Sequence, residues 1–181
     1  MENKLLIVID AQEDFTRGAL RNTEAINALP VIREIVDYAY EEFQLKTIYT
    51  QDIHDVDSYL ETMEGQKLPV LHCLRDKKGC QICHEVMTEK SRVLEKNHFG
   101  ATQWGACFSS DVKEIWMCGF CTDICVMANY QIIHAQFPEI PIKVFEDACA
   151  GTSPEMHEAA LKVMRSCHAD TIKWEDYKTS L

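Results

Sequence analysis

Short apolar runs alternate with longer amphipathic stretches along the chain, and this alternation constrains its fold more than any other feature. The first run, residues 5–9, is apolar at successive positions and predicts a strand buried on both faces. Residues 26–43 carry apolar side chains at helical spacing and lead into a second predicted strand at 46–50. Later strands are predicted at 92–94, 114–118, 142–145 and 171–173, and later helices at 123–136 and 157–167. This order predicts an α/β fold, a three-layer α/β/α sandwich around a parallel, Rossmann-like six-stranded sheet.

The size and composition of the chain favour one compact domain over residues 1–181. Hydrophobic residues make up 46% and charged residues 26%, and no apolar stretch approaches the roughly 20 residues that a membrane span needs. The apolar run at 5–9 is too short for a signal peptide, so we expect a cytoplasmic protein whose 9 cysteines stay reduced. The net charge of −11 and the dispersed cations exclude nucleic acid as a partner, and we expect no membrane partner either.

Acidic residues and a cysteine follow the predicted strands at one edge of the sheet. Asp10 ends the first strand, Asp52 follows the second, and residues 119–125 join a later strand to its helix. Because ligands of parallel α/β sheets bind beyond the carboxyl ends of the strands, we expect the functional site at this edge. The irregular segment 52–90 belongs to the same region, and a loop of this length is usually functional.

The strongest single feature is the turn GFCTDICV, residues 119–126, between a predicted strand and a predicted helix. Cys125 lies in the expected first turn of that helix, where unpaired backbone N–H groups stabilise a thiolate and lower the pKa of the cysteine. The same N–H groups can bind the oxyanion that forms when a thiolate attacks a carbonyl carbon. The alternative interpretation is that Cys125 is an ordinary cysteine of the core.

Asp52, His54 and His72 form a candidate metal site. Asp52 and His54 stand two residues apart in an extended segment and project to the same side, and His72 supplies a second imidazole. Three protein ligands leave positions open for water or substrate, which is the catalytic pattern. Glu61 or Glu64 could add a further ligand, although a solvated loop carboxylate is the preferred interpretation of both.

The motifs of this chain resemble those of the isochorismatase-like cysteine hydrolases, the superfamily that contains the nicotinamidases. The similarity covers the turn at 119–126, the segment IDAQEDF at 9–15, the lysine motif at 94–96 with Phe99, and the late segment DACAGTSPEMHEAAL at 147–161. These segments follow one another in the family's order over nearly the whole chain.

The resemblance implies a catalytic triad of Asp10, Lys96 and Cys125. In this triad the carboxylate moves a proton between the thiol and the leaving amine, and the ammonium group orients the carboxylate. The resemblance also implies a cis peptide bond between Phe120 and Cys121, with the backbone N–H groups of Cys121 and Cys125 forming the oxyanion hole. Without the resemblance, Asp10 would be interpreted as a strand-end cap and Lys96 as a solvated charge.

The spacing of the metal ligands resembles the nicotinamidase branch in particular. It implies one divalent metal ion, with zinc as the leading candidate and iron or manganese as alternatives. The implied reaction converts nicotinamide and water to nicotinate and ammonia through a cysteine thioester, as in NAD salvage. The implied partners are a small-molecule amide and further copies of the chain.

Phe15 and Phe99 are the residues that we expect to contact the substrate. Ile53 and Thr102 stand where nicotinamidases have aromatic residues, so the pocket could be wider than in that branch. Trp104 and Phe99 could compensate for this loss from the other side.

Two alternative functions stay open at this point. A relative without a metal would act on another small amide, an N-carbamoyl compound or an enol ether. A protein of a different class would use Cys80, Cys83 and His84 to bind zinc or to sense oxidants, although no second Cys-x-x-Cys pair follows at suitable spacing.

Overall fold

The computed structural model of the protein describes residues 3–43, 47–89, 91–108 and 111–180. Its strands are β1 (Lys4–Ile9), β2 (Thr47–Asp52), β3 (Ser91–Lys96), β4 (Glu114–Phe120), β5 (Ile142–Ala150) and β6 (Asp170–Ile172). Its α-helices are α1 (Glu13–Thr16), α2 (Thr23–Phe43), α3 (Met63–Lys67), α4 (Met127–Gln136), α5 (Pro154–Ser166) and α6 (Trp174–Thr179). The shorter elements are 3-10 turns at Tyr59–Glu61, Lys78–Cys80, His84–Val86 and Trp104–Ala106 and a π-helical turn at Thr122–Val126.

The strands form a parallel sheet of 6 strands in the order β3-β2-β1-β4-β5-β6. This order places β1 near the centre and is the order of the Rossmann fold. β1 pairs with β4 over its whole length, from Lys4 opposite Glu114 to Ile9 opposite Gly119. Residues 6–9 are completely buried, as expected for an apolar strand between two helical layers. The predicted α/β fold with a parallel six-stranded sheet is confirmed.

Aromatic rings hold α2 and α6 against one face of the sheet. The ring of Tyr38 in α2 stacks on Trp116 of β4 at a centroid distance of 6.3 Å. Trp174 of α6 approaches the same tryptophan edge-on at 6.0 Å. Buried rings contribute large apolar areas, so this cluster is a major part of the core. Elsewhere α4 packs against α5, and the Tyr130 hydroxyl donates a hydrogen bond to the Cys167 carbonyl just beyond α5.

The start of α5 and the end of β5 differ from the predicted boundaries. α5 begins at Pro154 because the Ser153 side chain caps it by accepting a hydrogen bond from the Met156 N–H at 3.2 Å. β5 continues past its predicted end at residue 145 to Ala150. Lys46, the first residue of the predicted second strand, lies outside the described residues.

The carboxyl end of β4 depends on a glycine. Gly119 has a φ angle of +121°, and a Cβ atom at this position would lie 2.0 Å from the Ile9 carbonyl oxygen. Only glycine fits such a backbone conformation and such a close approach. β1 and β4 therefore come close together just where Asp10 follows one strand and Cys121 follows the other.

Candidate active site

Three side chains from different parts of the chain meet at the carboxyl edge of the sheet. Asp10 directly follows β1, Lys96 ends β3, and Cys125 lies in the π-helical turn after β4. The Lys96 Nζ atom is 2.7 Å from Asp10 Oδ2 and 3.7 Å from Cys125 Sγ. All three residues are buried. The structure therefore brings the three residues of the predicted triad together.

Asp10 is held in place by Thr50 of β2, a residue that we did not predict. The Asp10 N–H donates to Thr50 Oγ1 at 3.0 Å, and the Thr50 hydroxyl donates to Asp10 Oδ1 at 2.6 Å. Asp10 has a φ angle of 44°, a left-handed conformation that residues other than glycine rarely adopt. Its Oδ2 atom is buried and lies 2.7 Å from Lys96 Nζ. Thr50 therefore holds one oxygen of the carboxylate, and Lys96 faces the other.

Burial and charge together set the protonation of these three groups. Burial raises the pKa of Asp10, although Lys96 and the Thr50 hydroxyl oppose this shift. Burial would lower the pKa of Lys96, but the negative groups around it, with Asp10 foremost, raise it instead. Burial, reinforced by the Asp10 carboxylate, raises the pKa of Cys125. Our expectation that the helix N-terminus lowers the pKa of this cysteine is therefore wrong, and a thiolate at Cys125 would form only with a base to take up its proton.

The turn at 119–126 carries Cys125 at a different local geometry from the one predicted. Cys125 lies within a π-helical turn rather than in the first turn of α4. Such turns are rare and often mark functional sites. The peptide bond between Phe120 and Cys121 is cis, as the family resemblance implies.

Polar contacts tie this turn to the segment that precedes α5. The Asp123 carboxylate accepts hydrogen bonds from the Thr152 N–H at 2.8 Å and the Thr152 hydroxyl at 2.6 Å. The Thr122 hydroxyl lies 2.8 Å from His157 Nδ1. The backbone around Cys125 is thus fixed from the side of α5.

A second cluster of ligating side chains adjoins these three residues. Asp52, His54, Glu64 and His72 each offer one ligand atom, and these atoms all lie within 4.8 Å of one another. His54 Nε2 is 2.9 Å from Asp52 Oδ2, and His72 Nε2 is 3.5 Å from Glu64 Oε1. His72 Nδ1 lies 2.8 Å from the Val70 carbonyl oxygen, which leaves Nε2 to face the cluster. Two imidazoles and two carboxylates are a donor set that fits a divalent metal ion.

From the sequence, Glu64 was expected to be a solvent-exposed loop carboxylate, but it is the fourth member of this cluster. It comes from α3, which Thr62 caps by accepting a hydrogen bond from the Gly65 N–H at 3.0 Å. The preference for a solvated Glu64 is wrong, whereas Glu61 is indeed exposed and outside the cluster. Thr62 followed by Glu64 was the available signal for a short capped helix, but nothing in the sequence indicated where that helix packs.

Asp52 belongs to both clusters at once. Its Oδ1 atom is 3.2 Å from Lys96 Nζ, and its Oδ2 atom is 2.9 Å from His54 Nε2. Burial opposes ionisation, but the contacts with His54 and Lys96 outweigh it and lower the pKa of Asp52. A single ionised carboxylate therefore joins the candidate metal ligands to the candidate triad.

A cavity of about 860 Å³ opens beside the second cluster and the turn that carries Cys125. Asp52, Glu64, His72 and Cys121 line it, together with apolar side chains that include Phe15 and Phe99. Phe15 is buried and Phe99 is exposed at 45%. The two predicted substrate contacts therefore face the same cavity as the ligating groups.

The residues that depart from the nicotinamidase pattern lie away from this cavity. Ile53, Thr102 and Trp104 are absent from its lining. Trp104 is fully buried, and its indole N–H donates to Asn129 Oδ1 at 3.1 Å. Trp104 therefore cannot compensate for a lost aromatic residue, and only Phe99 is in a position to do so.

The two cysteines of the Cys-x-x-Cys motif do not come together as ligands of one site among the described residues; Cys83 instead lies in a separate group of potential ligands with Glu13 and Glu85. Cys80 and Cys83 are both buried, whereas His84 is exposed. Cys83 lies 3.4 Å from the Thr16 hydroxyl, and Gln51 is 3.6 Å from the Cys80 sulfur. No group of potential metal ligands in the described parts of the chain contains both cysteines. In the same parts, no helix combines the length and the apolar character that crossing a membrane requires.

Comparison with known proteins gives a consistent assignment of the fold. A family model described as the isochorismatase domain matches residues 4–176. Nicotinamidase/pyrazinamidase PncA from Bacillus subtilis superposes with a TM-score of 0.82 at 23% identity, covering 96% of this chain and 100% of that one. Pyrazinamidase of Pyrococcus horikoshii in complex with zinc gives a TM-score of 0.81 at 22% identity over 95% and 99% of the two chains.

A third similar structure is of an enzyme named for a different substrate. N-carbamoylsarcosine amidase from Thermoplasma acidophilum superposes with a TM-score of 0.75 at 20% identity over 96% of both chains. The search of curated proteins found no match.

Proposed function

Because the chain belongs to the isochorismatase family, whose domain model spans residues 4–176, we propose that it is a metal-containing cysteine amidohydrolase acting on nicotinamide. One observation carries this proposal: Lys96 contacts Asp10, Cys125 and Asp52, so a candidate triad and a candidate metal site share one buried ion pair network. A hydrolase of enol ethers without a metal would not need the second cluster. We further propose that residues 1–181 form a single hydrolase domain, since all six strands join one sheet.

In the proposed reaction Asp10 removes the proton from Cys125, and the thiolate attacks the carboxamide carbon. A raised pKa makes Asp10 a stronger base towards a thiol whose own pKa is raised. The protonated Lys96 then stabilises the thiolate as it forms, because its Nζ atom is 3.7 Å from the sulfur. The backbone N–H groups of Cys121 and Cys125 are assigned to the developing oxyanion.

The same carboxyl group serves the later steps. Asp10 returns the proton to the amide nitrogen, ammonia leaves, and a thioester to Cys125 remains. Asp10 then takes a proton from water, and the resulting hydroxide attacks the thioester carbon. The C–S bond breaks, Asp10 returns the proton to the Cys125 sulfur, and the acid product leaves as nicotinate after losing its proton to solvent. The Phe15 side chain, buried in the cavity wall, would pack against the ring and hold the carbonyl near the sulfur.

Asp52, His54, Glu64 and His72 are the residues proposed to hold the metal ion. When bound, a divalent ion would supply an electrophilic centre that orients the pyridine nitrogen. The donor set suits zinc, and it also suits iron and manganese. Self-association and a cytoplasmic location stay predictions.

Replacement of the nucleophile is the direct test of the triad. We expect Cys125→Ala to reduce ammonia release from nicotinamide to the background rate and Asp10→Asn to lower kcat by about 10²–10⁴-fold. Cys121→Ala is the matched control, because it removes the thiol of a neighbouring residue that lines the cavity but keeps the backbone N–H. Substantial activity of Cys125→Ala would remove the triad assignment.

Metal analysis tests the second cluster. We expect purified protein to contain one equivalent of metal and Asp52→Ala to lose metal and activity together. Glu64→Ala should weaken metal binding, whereas the exposed neighbour Glu61→Ala should not. The measurement is metal content by mass spectrometry after dialysis. Equal metal content in Glu64→Ala and Glu61→Ala would exclude Glu64 as a ligand.

A second substrate class is favoured by the size of the cavity. A volume of about 860 Å³ suits a ligand larger than one pyridine ring. Ammonia release from nicotinamide, pyrazinamide and N-carbamoyl compounds, compared by kcat/KM, separates the candidates. Nicotinamide should be the best substrate, and a clear preference for an N-carbamoyl compound would replace it.

A further inference from the structure

The segment that follows β1 carries two polar side chains that the proposed reaction does not use. Gln12 is completely buried and Asp14 is exposed at 9%. Buried amides and carboxylates are normally retained only where they make specific hydrogen bonds. Both side chains reach across to the loop that supplies the proposed metal ligands.

The side-chain amide of Gln12 hydrogen-bonds to both the N–H and the carbonyl group of Asp52. Its Oε1 atom accepts a hydrogen bond from the Asp52 N–H at 2.8 Å, and its Nε2 group donates to the Asp52 carbonyl at 2.8 Å. The same Nε2 group donates to the Cys80 carbonyl at 2.7 Å. The amide of Gln12 is thus saturated by backbone groups of β2 and of the loop.

The Gln12 amide makes the hydrogen bonds to the end of β2 that a longer β1 would otherwise make. The pairing of β1 with β2 ends at Val8 opposite Tyr49, and the left-handed conformation of Asp10 then turns the chain away. Asp52, at the end of β2, would lack a backbone partner on the β1 side. The side chain of Gln12 supplies a donor and an acceptor in the manner of a peptide group.

Asp14 holds the second ligand-bearing segment. Its Oδ2 atom accepts a hydrogen bond from the Cys73 N–H at 2.7 Å, directly after His72, and its Oδ1 atom accepts from the Ala19 N–H at 2.9 Å. Cys73 has a φ angle of 46°, so this backbone is held in an unfavourable conformation. A Cβ atom on Gly79 would lie 2.1 Å from the Asp14 carboxylate. The lack of a side chain at Gly79 therefore leaves room for this carboxylate.

We propose that Gln12 and Asp14 are positioning residues that fix the distance between Asp52 and His72 and so form the metal site before the ion arrives. This inference rests on the proposed function in one respect: that the cluster around Asp52 and His72 binds a metal ion. Asp52 ends β2, whereas His72 lies in the irregular loop beyond it. Backbone hydrogen bonds from the His54 N–H to the Cys73 carbonyl and from the Arg75 N–H to the His54 carbonyl, both at 2.9 Å, join the two segments on one side. Gln12 and Asp14 hold them from the side of β1. Residues behind the ligands of a metal typically change its affinity by about 10–100-fold when they are replaced.

The test measures the affinity of metal-free protein for zinc ions, by competition with a chromogenic chelator. Gln12→Met keeps the length of the side chain and removes its hydrogen bonds, and Asp14→Asn removes the charge that holds the Cys73 N–H. We expect each variant to raise the Kd for zinc about 10–100-fold. Gln51→Ala is the matched control, because Gln51 also donates to the Cys80 carbonyl, at 2.7 Å, and its side chain makes no hydrogen bond to Asp52.

The temperature of the titration lies well below the unfolding midpoint of every variant, so that a loss of fold cannot imitate a loss of affinity. Should Gln12→Met fail to fold, Gln12→Glu keeps the acceptor and the shape, and Asp14→Asn tests the second contact independently. Wild-type zinc affinity in the folded Gln12 and Asp14 variants would overturn the inference, as would an equal loss in Gln51→Ala. If the wild-type protein bound none of zinc, iron(II) and manganese(II) in the competition assay, the metal site of the proposed function would instead be refuted, and this inference with it.

Discussion

Thr50 shows how much a single hydroxyl group can contribute to this site. It accepts a hydrogen bond from the Asp10 N–H and donates one to the Asp10 carboxylate. The second bond favours the ionised form and partly offsets the effect of burial, which raises the pKa of Asp10. Thr50 therefore supports the proposed base without touching a substrate.

At the residue scale we predict the effect of Thr50→Val, which keeps the shape of the side chain and removes its hydroxyl. The pKa of Asp10 should rise further, so the acid limb of the profile of kcat/KM against pH should move to higher pH. At neutral pH kcat/KM should fall by about 10-fold, because a hydrogen bond to a charged group is worth about 1.5 kcal/mol or more. Thr50→Ser retains the hydroxyl and should behave like wild type, and an unchanged profile for Thr50→Val would contradict this role.

At the element scale the packing of β1 on β4 decides where the two catalytic candidates lie. The close approach of Gly119 to Ile9 sets the spacing of the two strands at their carboxyl ends. Asp10 follows one end and the turn with Cys125 follows the other. A change in this spacing would move the base relative to the thiol.

We predict that Gly119→Ala destabilises the protein by about 3 kcal/mol or more, because its Cβ atom meets the Ile9 backbone and its φ angle is unfavourable. Gly105→Ala is the control, since the nearest atom to a Cβ at this position is a side-chain oxygen of Gln136 at 3.7 Å. Urea denaturation followed by circular dichroism gives both free energies of unfolding. Similar values for the two variants would show that the strands can separate at little cost.

At the scale of the whole molecule, an ionic cluster joins three strands at the opposite end of the sheet from the site. Glu114 lies 3.2 Å from Lys4 and 3.7 Å from Lys143, and its carboxylate accepts a hydrogen bond from the Trp116 indole at 2.5 Å. Burial opposes ionisation, but these contacts outweigh it and lower the pKa of Glu114 below its ordinary value of 4.5. Strands β1, β4 and β5 all contribute to this cluster.

A lowered pKa means that the unfolded chain binds the proton more tightly than the folded chain does. The contribution of Glu114 is therefore fully present above its unfolded pKa of 4.5 and is lost as the pH falls through its lower folded value. We predict that Glu114→Gln unfolds at a lower temperature than wild type at pH 7 and that the difference shrinks below pH 4.5. Glu158→Gln, on the exposed side of α5, is the control, and a difference independent of pH would exclude an ionic origin.

The sequence by itself determined a parallel sheet of six strands, the succession of strands and helices along the chain, and several residues at the carboxyl edge of the sheet. Apolar runs and helical spacing are local patterns, so β1, β2 and β4 could be predicted without knowledge of their neighbours. Asp10 and Cys125 follow strands directly, and the topology of a parallel sheet brings such positions to one edge.

Only the tertiary structure decided how the loop between β2 and β3 folds over that edge. This segment has no periodic pattern, so the sequence offered both Glu61 and Glu64 as further ligands and could not show that only Glu64 would join the histidines. The position of Trp104 in the core, after β3, was equally undetermined by local pattern. The bonds of Gln12 and Asp14 are equally invisible in the sequence, because each joins backbone groups far away along the chain. Backbone hydrogen bonding carries no residue-specific signal, and so the geometry of the site emerges only when the chain is folded.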